Sequence, residues 1–135
     1  GFAFQMADDL LDTFELDTQV AKHEDLKEWT LSAPPLPIVS LAQSDLQTQS
    51  NWAELSHYVE DSNALKEKIY WLQTRASLEP NLLAMKAKVD LALDTAEKCL
   101  NDFGHSEFLG QALELIRSRA EEGFETAREF RSAHT

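Results

Sequence analysis

Glycine and proline are scarce in these 135 residues, four of each. Folds rich in β-strand need more turn residues than that, so the composition points to helix. The one cysteine, Cys99, excludes an intrachain disulfide and a cysteine-based zinc site, and fits a reducing, cytoplasmic setting. Basic residues are also few, 12 against 24 acidic ones, which leaves a net charge of −12. Such a surface repels nucleic-acid phosphates and anionic lipid head groups. It tolerates a diphosphate only where a divalent cation bridges the two negative partners. No apolar run is long enough to cross a bilayer, and no basic-then-apolar leader is present. The chain starts at Gly1 inside a helical pattern, which suggests a cut or processed start.

What is present is one ordinary domain's length, read as a single helical region over residues 1–135. From Phe2 to Leu16 the apolar residues Phe2, Ala3, Met6, Ala7, Leu10, Leu11 and Phe14 fall at helix spacing. Asp17 to Ser32 is mixed and polar, a loop or a short helix. Pro34, Pro35 and Pro37 then interrupt any regular helix, with Pro37 suited to the first turn of a helix through Ile38 to Ala42. Gln43 to Ser50 reads as a polar connection. Ser50 or Asn51 can cap a short helix carrying Trp52, Leu55, Tyr58 and Val59. Asp61 or Ser62 can cap the next, Ala64 to Arg75. Pro80 suits the start of a longer helix to about Phe103, with Leu82, Leu83, Met85, Val89, Leu93, Ala96 and Leu100 inward. Gly104 is a helix stop. Ser106 caps the last helix, with Phe108, Leu109, Leu113, Ile116, Ala120 and Phe124 inward.

Chemistry concentrates at the start of the chain. Asp8 and Asp12 are four apart, so on a helix they stand one turn apart on the same face. Asp9 lies about 100° around from Asp8. Gln5, three before Asp8 and four before Asp9, joins that side. Like charges at this spacing cost roughly 0.2–0.5 kcal/mol. A cation would relieve them, and Mg²⁺ commonly takes one or two carboxylates, completing its shell with water and phosphate. The bland reading is a solvated acidic helix face.

The full pattern is Gly1, Phe4, Gln5, Asp8, Asp9 and Asp12. It resembles the second aspartate-rich motif of trans-isoprenyl diphosphate synthases at all six defining positions. Downstream, Asp25-Leu26 followed by Leu31-Ser32-Ala33-Pro34 is similar to the segment that opens the next helix in that family. The resemblance implies an all-α, isoprenoid-synthase-type helical bundle, of which this chain is the C-terminal half. It implies that Asp8 and Asp12 hold Mg²⁺, with Asp9 more peripheral, and that Phe4 and Gln5 line the substrate cavity. The implied reaction joins an allylic diphosphate to isopentenyl diphosphate. The family places Gly-Lys on either side of Asp-Leu. Here Trp29-Thr30 stands at the second place, and Lys22 and Lys27 are the candidate substitutes, against the alternative of solvated loop lysines. No catalytic base is assigned. The family's first aspartate-rich motif and its Lys, Arg and His ligands for isopentenyl diphosphate have no counterpart in these residues. The expected partner is therefore a missing N-terminal half or a second subunit, with self-association or a homodimer. A non-catalytic or regulatory subunit is the alternative.

The remaining candidates are plainer. His23, His57, His105 and His134 have no ligand spacing and read as surface or capping residues. Trp29, Trp52, Trp71, Tyr58 and Tyr70 read as helix-packing residues, with a partner surface as the alternative for Trp29. Cys99 reads as a small core residue.

Overall fold

Helix α1 (Phe2–Glu15) buries Ala3, Met6, Ala7, Leu10, Leu11, Thr13 and Phe14, more than one stripe, and so it is covered on several sides. In this computed structural model all residues are described except Phe103, His105, Ser106 and Thr135. Among the described residues there are seven α-helices and no strand. The all-α class expected from composition and periodicity is thus the observed one. The helix end at Phe103, the cap at Ser106 and His105 lie outside the described residues.

The last helix, α7 (Glu107–Ala133), is the main cover of α1. Asp8 meets Arg119, Leu10 meets Gly123 and Phe14 meets Phe130. The numbers rise together, so the two helices run parallel. They approach closely because Gly123 has no side chain: a Cβ there would lie 2.9 Å from Leu10 Cβ. Helix α6 (Glu79–Asp102) runs antiparallel to α7. Glu79 at its start pairs with Arg128 and Arg131 late in α7, and Glu97 near its end pairs with Arg117 early in α7. Met85 and Val89 enter the same core as Leu10. Gly104 follows at φ 87°, a left-handed conformation that glycine adopts without steric cost.

The middle of the chain packs on the other flank. Helix α2 (His23–Leu31) sits where the sequence left a loop or short helix, and buries Leu26. Trp29 is not a free loop residue: its ring stands 5.3 Å from that of Trp52. Helix α3 (Leu36–Ala42) has Pro37 in its first turn, as anticipated. Helix α4 (Leu46–Glu54) corrects the reading of Gln43 to Ser50 as a connection. Its cap is Asp45, not Ser50 or Asn51, and the Asp45 carboxylate accepts from Gln47 N at 3.1 Å and Thr48 Oγ1 at 2.8 Å. A 3-10 turn (Leu55–Tyr58) leads to α5 (Ser62–Ala76), capped by Asp61 through Ala64 N. Buried Asn81 ties three elements together, donating to Pro37 O and Ala76 O.

Four residues expected to be inward are exposed. Cys99 is exposed. Leu83 and Phe108 are exposed as well, 55% and 77%, and Leu109 is 40% exposed.

Asp45 also takes a fork from Arg75, Nε at 3.0 Å and Nη2 at 2.6 Å, with that guanidinium lying 4.8 Å over Trp71. The hydrogen bonds from Arg75 and then Thr48 hold the Asp45 carboxyl below its ordinary 3.8. A carboxyl depressed in the folded state adds stability above its ordinary value and loses it as pH falls through the folded value. Asp45→Asn keeps a capping oxygen and loses the charge. In thermal melts at a series of pH values it is expected to be less stable than wild type at pH 7, with the gap closing below 3.8. A gap independent of pH would overturn this account of α4.

Candidate functional site

Each aspartate of α1 has a distinct surrounding. Asp8 is half-buried, and its Oδ1 accepts from Arg119 Nε at 2.8 Å. That hydrogen bond, and then the Asp8 charge, push the Arg119 guanidinium further towards its charged form. Asp9 Oδ1 accepts from Gln5 Nε2 at 2.9 Å, and Oδ2 accepts from Leu36 N, also at 2.9 Å. Leu36 N is one of the first N–H groups of α3, which have no partner inside the helix. Asp9 thus fixes the proline corner against α1 and meets the positive end of the α3 dipole. Asp12 is exposed. Burial of its surroundings, then the charges of Asp9 and Asp8, push its carboxyl above 3.8, and Arg119 offsets part of this.

An open cleft of about 450 Å³ runs along this face. Gln5, Asp9 and Asp12 form one wall, and Trp29 with residues 32–36 forms the other. Gln5, expected to line the substrate cavity, lies on this cleft. Phe4 is not on this cleft: it is 46% exposed and lines a separate groove with Leu115 and Arg119. Helical geometry accounts for the split, since neighbours in sequence point about 100° apart.

The candidate lysines lie elsewhere. Lys22 precedes α2 and is exposed, and Lys27 pairs with Glu60 at 3.6 Å. The charges acting on Asp12 are Asp9, Asp8 and Arg119, and neither lysine is among them. Arg119 is the residue sequence reasoning missed. It lies 111 residues from Asp8, and no local pattern marks it.

Among the described residues no group of three carboxylate, imidazole or thiol side chains comes together to hold a metal ion. The donor set does not fit a three-carboxylate cage. Asp9 and Asp12 are the two carboxylates on the cleft, and a hard cation held there would draw its remaining ligands from water and phosphate oxygens. No helix of the described residues is long and apolar enough to cross a membrane. No protein-family model, no curated protein and no solved structure matches this chain.

Proposed function

We propose that this chain supplies a magnesium–diphosphate docking face to a prenyl-condensing enzyme of the trans-isoprenyl diphosphate synthase type. The observation that carries the reading is that Asp9 and Asp12 line one open cleft with Gln5, on a helix whose six-position motif resembles that family's. Asp12 and Asp8 would hold magnesium, which when bound neutralises charge on a departing diphosphate. Asp9 positions α1 against α3 and orients Gln5. Residues outside these 135 would supply the isopentenyl diphosphate site. Exposed Phe4, Leu91, Phe108 and Leu115 are apolar surface that further helices would cover.

Calorimetric titration with inorganic pyrophosphate, with and without MgCl₂, tests this. Binding is expected only with magnesium, and Asp12→Asn or Asp8→Asn is expected to weaken it about tenfold or more, the scale of removing one ligand to a metal–phosphate complex. Without metal, Asp12→Asn should be more stable than wild type at pH 7 by a few tenths of a kcal/mol, a small value because the group is exposed. A carboxyl raised in the folded state lowers stability above its folded value and has no such cost below its ordinary 3.8. The difference should therefore vanish in acid.

A second reading, a non-catalytic subunit acting through protein contacts, is favoured by the Arg119–Asp8 pair and by Lys27 lying on Glu60. Pyrophosphate binding that ignores magnesium, or that survives Asp12→Asn unchanged, would overturn the first reading and leave the second.

A further inference from the structure

Helical geometry sets the order of the side chains around α1. Each fourth residue advances by about 40°, so Phe4, Asp8 and Asp12 follow one another around the helix, and Gln5 and Asp9 come next. Phe4 lies on the groove it shares with Leu115 and Arg119, while Asp12 lies on the cleft with Gln5 and Asp9. Asp8 stands between the two. The residue it meets is Arg119 of α7, whose Nε donates to Oδ1 at 2.8 Å.

That pair leaves most of the guanidinium unused. Among the described residues Nε is the one donor of Arg119 in a hydrogen bond. A guanidinium carries five N–H donors, and a fork of two of them matches a phosphate. The Arg119 side chain is 47% exposed, so it can turn without opening the core. The backbone beneath it is fixed, because Gly123, one turn on, is where α7 touches α1. The charges of Asp8, Glu122 and Asp12 act on it. Among the described residues no other cation is placed this way. Arg117 is held by Asp94, Glu97 and Glu114, and Lys27 lies on Glu60. Arg119 is also the one positive charge acting on Asp12.

A positive charge on Asp8 repels an incoming divalent cation and attracts a phosphate. Free metal must therefore compete with Arg119 for the carboxylate. A magnesium–diphosphate complex brings a partner for each member of the pair. We propose that Arg119 is a diphosphate-binding residue of the Asp8 and Asp12 face, held on Asp8 while the face is empty: on binding, Asp8 exchanges the guanidinium for the cation, and the guanidinium passes to a phosphate oxygen. This inference rests on the magnesium–diphosphate reading above. It makes the Arg119–Asp8 pair part of the binding site and favours the complex over free metal.

Two affinities of the whole chain test it: Mn²⁺ alone, by electron paramagnetic resonance of the free ion, and pyrophosphate with MgCl₂, by calorimetry. Arg119→Gln frees Asp8 and removes the phosphate ligand. It is expected to bind Mn²⁺ about threefold or more tightly than wild type. It should bind magnesium–pyrophosphate about tenfold or more weakly, the scale of one charged hydrogen bond. Arg119→Lys keeps the charge and loses the fork, so it should bind Mn²⁺ as wild type does and pyrophosphate between the other two. A pair that only braces α7 against α1 would move both affinities of Arg119→Gln the same way, or neither. Either result, with wild-type binding still dependent on magnesium, overturns this proposal alone. Wild-type pyrophosphate binding that ignores magnesium is a separate failure, which removes the underlying reading and this proposal with it.

Discussion

Gly123→Leu is expected to destabilise the protein by about 3 kcal/mol or more, at the upper end of overpacking costs. The β-carbon alone would stand 2.9 Å from Leu10 Cβ, 3.1 Å from Leu10 Cδ1 and 3.4 Å from Ala7 O. The first of these atoms is fixed to the α1 backbone and cannot swing away, so α1 and α7 must separate. Leu10, Ala7 and Phe124 are all buried at that contact, and separation exposes them. Gly123→Ala meets the same 2.9 Å contact but gains about 0.8–1 kcal/mol of helix propensity, so its net loss should be smaller. Urea denaturation of both variants measures the difference, with Leu115→Ala, at a position 71% exposed, as the near-neutral control on the same helix. A wild-type midpoint for Gly123→Leu would show that α1 and α7 do not approach here. The same separation should take Arg119 from Asp8, so in this variant the Asp8 carboxylate loses its 2.8 Å partner.

That approach also marks how far the sequence could be read. The stripe of α1 was legible because Met6, Leu10 and Phe14 repeat at helical spacing, and each is buried. Pro37 in the first turn of α3 and Asp61 before α5 were legible because a fixed φ and a capping carboxylate act over three or four residues. Asp45 offers the same local signal, but the polar run after it, Gln47 to Ser50, outweighed it and concealed α4. Helix α4 buries only Thr48, so hydrophobic spacing had little to report.

The stripes of α6 and α7 misled for another reason. Periodicity says which face of a helix is apolar, not how much of that face finds a neighbour. Leu83 stands about 100° around α6 from buried Leu82 and so points off the covered face, and Phe108, in the first turn of α7, is exposed. In the candidate site, spacing put Gln5 and the aspartates on one side of α1, and only the resemblance gave them a role. The contacts of Asp9 and Asp8 were not legible, because they depend on Leu36 N and Arg119, which only the tertiary fold brings near. Gln73 was invisible for the same reason: its partners are 57 and 60 residues away.

Gln73→Glu changes almost no volume and is nevertheless expected to cost about 3–5 kcal/mol at pH 7, the range for an uncompensated buried charge. The native amide nitrogen gives two hydrogen bonds to the closing carbonyls of α1, Thr13 O and Leu16 O. An ionised carboxyl there would set an oxygen against two oxygens at 2.8 Å, in a side chain with no exposed surface. Burial and both carbonyl dipoles would raise its pKa well above the usual glutamate value of about 4.3. The sign follows from linkage. A carboxyl raised in the folded state is tolerated below its ordinary value, and its penalty grows as pH rises towards the folded value. Once protonated, the new group can donate one of the two lost hydrogen bonds. The variant should therefore recover much of its deficit between pH 7 and pH 4. Gln73→Leu separates charge from hydrogen bonding: it leaves both carbonyls unpaired for about 1–3 kcal/mol, with no dependence on pH over that range. Chemical denaturation of the two variants at both pH values measures this. If Gln73→Glu behaves like Gln73→Leu at every pH, the carboxyl has reached solvent, and Gln73 does not hold the end of α1 in a dry core.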